Sequence, residues 1–234
     1  GIYDSVSIAV SDNPSIETVQ VAPRIADSSI VVQVKLRNTS ATAVTVPLNF
    51  TVEQWKGPAL SATMGTEVKL DPGEEKTSMH TIALPSARLW WPEDPQLYVL
   101  TTRTGGDSAS TRFGMREIRF DTATRRAYLN GRVYFLRGSN ITLHRFFEDP
   151  KSGTLPWNEQ WVRKLLVDIP KQMHWNAFRF CIGPAPEQWF DIADEAGLLI
   201  QNEYFVWTGN AWHGAENQVH FDADEMIAEY KEWM

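Results

Sequence analysis

The fold is decided by residues 127–140, AYLNGRVYFLRGSN, where two short apolar runs flank the dipeptide Asn130-Gly131. Both residues of an Asn-Gly pair tolerate the positive φ of a type I′ turn, so this stretch predicts a two-residue β-hairpin. The second run, residues 133–136, is continuously apolar, which is typical of a strand buried on both faces of a parallel sheet. The sequence pattern changes here, and we expect the architecture to change with it.

Before this stretch, alternation of apolar and polar residues predicts short antiparallel strands. In the segment 29–38, for example, Ile30, Val32 and Val34 fall on one face. In the segment 44–55, Pro47 places the strand at a sheet edge or at a strand start. Further strands are expected at 67–70, 76–84, 97–103 and 111–120. About seven such strands predict a β-sandwich from about residue 11 to about residue 121.

After this stretch, short strands alternate with helical patterns. Residues 157–173 carry an apolar helical face that includes Met173, with Asn158 as N-cap and a kink or early stop expected at Pro170. A strand at 176–181, a helix at 187–196 capped by Gly197, a strand at 198–204 and a helix at 222–234 follow. This order predicts three βα units of a parallel sheet.

Composition excludes several classes of function. The 234 residues carry 22 Lys+Arg against 29 Asp+Glu, a net charge of -7, which disfavours nucleic acid and anionic membranes as partners. The one cysteine, Cys181, allows no internal disulfide and sets no compartment, so a periplasmic or secreted location is as compatible as any other. We expect no signal peptide from the given sequence, which shows no apolar run near the length of a membrane span and no phosphate-binding glycine loop.

Five motifs follow one another in a family-specific order. They are LWWP at 89–92 with PQLY at 95–98, FGMREI at 113–118, LNG at 129–131 leading into FLRGSN at 135–140, NAFR at 176–179, and WFDIADEAGL at 189–198. Their order and spacing resemble family 2 glycoside hydrolases, the group of β-galactosidases, β-glucuronidases and β-mannosidases. The resemblance implies an immunoglobulin-like sandwich at 11–121 and the start of a (β/α)₈ barrel at 122–234, with residues 133–140 as barrel strand one. Residues 1–10, which alternate like a strand, resemble the last strand of a sugar-binding jelly-roll domain.

The resemblance implies a retaining, exo-acting β-glycosidase that removes terminal β-linked sugars from oligosaccharides. Such chemistry needs two carboxylates about 5–5.5 Å apart. The family places its two catalytic glutamates on barrel strands four and seven, and only three barrel strands precede Met234. Both glutamates are therefore expected beyond this chain, which by itself should be inactive. The counter-interpretation is that Asn202-Glu203, which has the Asn-Glu order of the family's acid/base, supplies that residue here.

The expected substrate-binding residues lie at the carboxyl ends of the predicted strands, where active sites of this fold collect. Arg179 matches a family arginine near the nucleophile. Glu203 either faces the sugar or pairs with Arg179 for stability alone. Asn140 is either a cleft residue or a turn residue, and His144 follows soon after it. Trp207, in the loop after strand three, either stacks on a sugar or fills a core, as does Trp212.

No cofactor and no metal site is expected, since His213 and His220 lack partners at ligand spacing and Trp207 stands where the galactosidase branch has an acidic metal ligand. Three barrel strands leave an open edge, which the rest of the barrel or self-association should cover. The alternative function is a non-catalytic carbohydrate-binding or spacer module.

Overall fold

The alternating segments of the first half of the chain form strands, and the second half adds helices. The computed structural model describes residues 4, 6–57, 62–181, 183, 185–203, 224, 227 and 228. Two compact units result. The first holds residues 1–136 together with Asp194–Gly197, and the second holds Arg137–Ala193 together with Leu198–Met234.

Seven strands of the first unit form two antiparallel sheets. The sheet orders are β1-β2-β5 and β4-β3-β6-β7. The bounds are β1 Ser15–Arg24, β2 Ser29–Arg37, β3 Val44–Gln54, β4 Ala62–Leu70, β5 Glu75–Ala83, β6 Tyr98–Arg103 and β7 Ser108–Phe113. The order resembles that of immunoglobulin domains, except that the fourth strand pairs with the third strand instead of lying in the first sheet.

Alternation along the strands builds the core between these two sheets. Ile30, Val32 and Val34 of β2 are fully buried, and Leu48 and Phe50 of β3 are buried with them. The predicted inward face is thus confirmed. The strand with Pro47 is not at a sheet edge, because β3 lies between β4 and β6. The proline is tolerated because it pairs with β4 only, and the pairing of β3 with β6 begins two residues later.

A small third sheet follows the sandwich. It has the order β10-β9-β8, with β8 Ile118–Asp121, β9 Arg126–Leu129 and β10 Arg132–Val133. The hairpin between β9 and β10 is confirmed, with φ of 49° at Asn130 and 77° at Gly131. The single strand expected at 111–120 is wrong, because the chain leaves the sandwich after β7 and starts β8 in a different sheet.

The prediction that residues 133–136 form a buried strand is also wrong. Val133 ends the hairpin opposite Tyr128, and the parallel strand begins only at Gly138. Val133 is 53% exposed and Phe135 is 76% exposed. The run is apolar, but it lies where the chain passes from one sheet to the next, so no described strand covers it. Residues 6–10 likewise form no strand, since none of the described strands pairs with them.

The motifs at 89–92 and 113–118 meet around Trp90 with the part of the motif 189–198 that belongs to the first unit, Asp194–Gly197. The buried indole donates a hydrogen bond to the carbonyl oxygen of Asp194 at 2.9 Å. The guanidinium of Arg116 lies 4.4 Å from the indole ring centroid and pairs with the Asp194 carboxylate at 2.8 Å. Asn130 donates from Nδ2 to the Trp90 carbonyl at 2.8 Å. These contacts bring together residues of motifs that lie far apart in the sequence.

The second unit has a three-stranded parallel sheet in the order β11-β12-β13. The strands are β11 Gly138–Thr142, β12 Ala177–Cys181 and β13 Leu199–Asn202. Its helices are α1 His144–Glu148, α2 Glu159–Arg163, α3 Ile169–Met173 and α4 Glu187–Ala196, with a 3₁₀ turn at Leu155–Trp157. The chain therefore alternates strand and helix as the sequence predicted.

The helix predicted at 157–173 is interrupted. Asn158 is the N-cap of α2, accepting from the Trp161 N–H at 3.0 Å. A π-helical turn, Lys164–Asp168, then separates α2 from α3. Pro170 does not stop the helix, because it sits in the first turn of α3, where its missing N–H costs nothing. Met173 is 54% exposed, so its place on the apolar face was wrong.

Helix α4 has the predicted bounds, and Gly197 ends it with φ of 78°. A positive φ after a helix is the conformation that glycine adopts without strain. Most of the helix expected at 222–234 lies outside the described residues, apart from residues 224, 227 and 228.

Candidate active-site face

The parallel sheet has one covered face. Ile141 of β11 and both Phe178 and Phe180 of β12 are buried against helical residues such as Val162 and Trp189. The Phe180 and Trp189 rings meet edge to face, with centroids 5.4 Å apart. Apolar packing on this face holds the three strands to the helices.

The other face is polar, and we call it the open face. Register pairs Asn140 with Arg179 and Arg179 with Gln201, so these three side chains project side by side from neighbouring strands. Thr142 and Cys181 form the next row. Asn140 and Gln201 are exposed, whereas Arg179, Thr142 and Cys181 are half-buried. The packed apolar residues therefore alternate with this polar row along each strand.

Arg179 and Glu203 form an ion pair on the open face. Their side chains are 38% and 26% exposed. Glu203 extends the ladder past β13, because its N–H donates to the Phe180 carbonyl at 3.3 Å. Its side chain shares the parity of Gln201, which brings the carboxylate to the face of Arg179. Charge-assisted pairing of this kind fixes the orientation of both groups.

The predicted residues Asn140, Arg179 and Glu203 are thus brought together. Asn140 lies inside β11 and not in a turn. His144 starts α1, and its Nδ1 is buried with no hydrogen-bond partner among the described atoms. No described contact joins His144 to the Arg179–Glu203 pair.

Trp207, Trp212, His213 and His220 lie outside the described residues. Sequence reasoning missed Gln201, Thr142 and Cys181 as members of the open face. Period-two parity counted from Arg179, Asn140 and Glu203 would have placed Cys181, Thr142 and Gln201 on the same face, but only the strand register shows which of them lie side by side.

The open face offers the chemistry that sugar hydroxyls need. Asn140 and Gln201 each carry a donor and an acceptor, the Arg179 guanidinium donates, and the Glu203 carboxylate accepts. The group lies toward the carboxyl end of a parallel sheet, where ligands of α/β folds bind. Within the described residues, no cluster of three His, Cys, Asp or Glu side chains could hold a metal ion. Every described helix is too short or too polar to span a bilayer.

The fold is that of a sandwich followed by a parallel α/β region. Comparisons with known proteins identify proteins that are similar to it. Residues 15–116 match the model of glycosyl hydrolases family 2. A putative β-glucuronidase of Formosa agariphila is 31% identical over 63% of this chain and 14% of its own length. β-Galactosidase BgaC of Bifidobacterium adolescentis is 27% identical over the whole of this chain and 22% of its own length.

A solved structure shows the same fold. A family 2 β-galacturonidase from Eisenbergiella tayi, bound to galacturonate, superposes with a TM-score of 0.69 at 22% identity. The superposition covers 83% of this chain and 33% of that one. These comparisons support a relationship of this chain to family 2 of the glycosyl hydrolases, with residues 15–116 matching the family model, and the chain spans less than a quarter of the length of the two curated relatives.

Proposed function

We propose that this chain is the support sandwich and the first three βα units of the (β/α)₈ catalytic barrel of a retaining, exo-acting β-glycosidase. The protein would remove terminal β-linked sugars from oligosaccharides. The single observation that carries this proposal is the open face, because parallel sheets are normally covered by apolar residues on both faces. Three polar residues in one row of such a sheet are explained by a ligand.

In this proposal Asn140, Arg179 and Glu203 form part of the sugar-binding wall. His144 and Trp207, which follow β11 and β13 in the sequence, belong to the same wall. The relatives are named for three different sugars, so the sugar itself is left open by the family. The residues at both free edges of the sheet, on β11 and β13, have no strand partner among the described strands. Further barrel strands would pair there.

Both catalytic glutamates are proposed to lie outside this chain. A general acid must carry a proton on its carboxyl group, whereas pairing with a guanidinium favours the carboxylate. The ion pair of Glu203 with Arg179 therefore supports a binding role for Glu203 over an acid/base role.

The test is turnover of aryl β-glycosides by the full-length protein that contains this chain, and by its Glu203→Gln and Arg179→Lys variants, because this chain alone should be inactive. Loss of one charged hydrogen bond to the sugar should lower kcat/KM by about 10- to 100-fold. Glu159→Gln is the matched control, since it makes the same chemical change on α2, away from the open face. Unchanged kcat/KM in both site variants would overturn the proposed binding wall.

The leaving group separates the two roles of Glu203. If Glu203 were the acid, a dinitrophenyl leaving group, which needs no protonation, would restore much of the activity of Glu203→Gln. A binding role predicts the same loss with nitrophenyl and dinitrophenyl substrates. Selective restoration would therefore return the acid/base role to Glu203.

A further inference from the structure

Asn176 joins the amino ends of all three parallel strands. It lies directly before β12 and is buried, with 5% of its surface exposed. Its Oδ1 accepts from the Arg137 N–H at 2.8 Å, and its own N–H donates to the Arg137 carbonyl at 2.9 Å. Its carbonyl accepts from the Leu199 N–H at 2.9 Å. One residue therefore holds both backbone groups of the residue before β11 and the first N–H of β13.

The apolar pattern alone does not fix the register of these strands. A slip of one residue would turn Phe178 and Phe180 onto the open face, which burial forbids. A slip of two residues, however, keeps every apolar side chain on the covered face. It moves Asn140 from beside Arg179 by about 6.6 Å along the strand, which would dismantle the polar row.

The approach of β11 to β12 fits the same register. A Cβ on Gly138 would lie 1.7 Å from the carbonyl oxygen of Ala177, its register partner. The two backbones therefore leave no room for a side chain at Gly138, immediately after the Asn176–Arg137 hydrogen bonds.

We propose that Asn176 is a positioning residue, whose side chain selects the register of β11 against β12 that aligns Asn140 with Arg179 and excludes slips of two residues. The side chain acts through the Arg137 N–H and does not touch the sugar, whereas the bond from the Leu199 N–H goes to the backbone carbonyl. The consequence for catalysis rests on the proposed function, whereas the register itself is measurable without a substrate.

The register is reported by disulfide formation with the native Cys181. Thr142 is its register partner, and a Cα separation of about 4.8 Å between neighbouring strands suits a disulfide. Asn140 lies two residues away on the same face, diagonal to Cys181 at about 8 Å, which is too far. Thr142→Cys therefore reports the native register, and its cross-link is lost in a slip of two residues in either direction, whereas Asn140→Cys reports the slip that brings Asn140 opposite Cys181. Each variant is treated with copper phenanthroline, and the cross-linked peptide is quantified by mass spectrometry.

In Asn176→Ala, the cross-link from Thr142→Cys should fall about fivefold and that from Asn140→Cys should rise, because the distances exchange. Without the reporter cysteines, kcat/KM should fall by about 100-fold, as expected for a misplacement of site residues. Asn158→Ala is the control, since it removes the N-cap of α2 in the same unit and should leave both cross-links unchanged.

Asn176→Asp keeps an acceptor oxygen for the Arg137 N–H and should keep the native cross-link. If Asn176→Ala does not fold, Asn176→Ser takes its place with the same expectations. A native cross-link at control yield in the alanine or serine variant overturns the proposal, as does its loss in a folded Asn176→Asp. If Arg179 and Glu203 variants keep full activity while Asn176→Ala still loses the native cross-link, the proposed function fails and the register role stands.

Discussion

The strands β2 and β12 both alternate apolar and polar residues with a period of two, but their polar faces have different explanations. In β2, Val32 and Val34 face the core, while Gln33 and Lys35 face outward, and Lys35 pairs with Glu75 at 2.9 Å. A polar outer face is the ordinary state of an antiparallel sheet. In β12, Phe180 is covered and Arg179 is on the open face, but the sheet is parallel and such sheets are normally covered on both sides. The same alternation thus gives an ordinary outer face in one region and, in the other, the face that we propose as a binding site.

The largest expected effect tests the two faces of the parallel sheet against each other. Phe180→Ala should lower the free energy of unfolding by about 3–5 kcal/mol, because it leaves a cavity beside Trp189. Gln201→Ala, on the open face, should change it by less than about 0.5 kcal/mol. Chemical denaturation measures both. If Gln201→Ala costs as much as Phe180→Ala, the open face is packed and the comparison fails.

A smaller effect is expected at the glycine that ends α4. Gly197→Ala combines φ of 78° with a Cβ that would lie 2.1 Å from the Pro92 carbonyl oxygen. Strain and displacement together should cost about 2–4 kcal/mol in unfolding free energy. Gly131→Ala is the matched control, because its φ is 77° and its Cβ would meet nothing within 4 Å. Its cost should be about 1 kcal/mol, from the left-handed conformation alone. Equal losses of unfolding free energy in the two variants would show that the Pro92 backbone moves and relieves the contact.

One substitution in the sandwich core should stabilise the protein instead of destabilising it. The buried Thr102 hydroxyl of β6 has no hydrogen-bond partner among the described atoms. Thr102→Val removes this group, keeps the β-branched shape and should raise the free energy of unfolding by about 1 kcal/mol. Thr101→Val, one residue away and on the outer face, should not raise it. A destabilised Thr102→Val would mean that the hydroxyl is satisfied in solution.

The smallest effect is a pH dependence of the covered sandwich face. His80 of β5 lies opposite Val32, its ring centroid is 5.0 Å from that of Phe50, and burial lowers the pKa of its imidazole below the usual 6.5. The unfolded chain then binds the proton more readily, so this contribution to stability is complete above pH 6.5 and is lost as pH falls through the lowered pKa. His80→Gln should flatten the stability curve between about pH 7 and pH 5 relative to the unmodified protein. An unchanged slope would assign the pH dependence to other groups.

Local signals predicted the elements whose cause is local. Asn130-Gly131 gave the hairpin because both residues accept positive φ, and Gly197 marked the end of α4 for the same reason. The run at 133–136 misled, because an apolar segment does not reveal whether a neighbouring strand exists to cover it. Whether Pro170 stops a helix depends on which turn holds it, and the π-helical turn before it is not encoded by periodicity.

The sequence indicated which residues at the strand ends belong to the candidate site, but not how these residues align across neighbouring strands. Arg179 and Glu203 stood out as charges beside apolar runs, and the structure pairs them. The parity of Glu203 indicates the face of Gln201, but its place beside Arg179 follows from the register of β12 and β13. That register includes hydrogen bonds between residues far apart in the chain, such as that from the Leu199 N–H to the Asn176 carbonyl.

The hydrogen bonds of the hairpin residue Asn130 affect its deamidation. In a flexible Asn-Gly pair, the glycine nitrogen attacks the asparagine side-chain amide carbon, ammonia leaves, and a succinimide forms. Here Asn130 accepts from the Glu117 N–H at 2.9 Å and donates to the Trp90 carbonyl at 2.8 Å. Held at both ends and buried, the side chain cannot turn toward the nitrogen of Gly131. We therefore expect Asn130 to deamidate more slowly in the folded protein than in the unfolded chain.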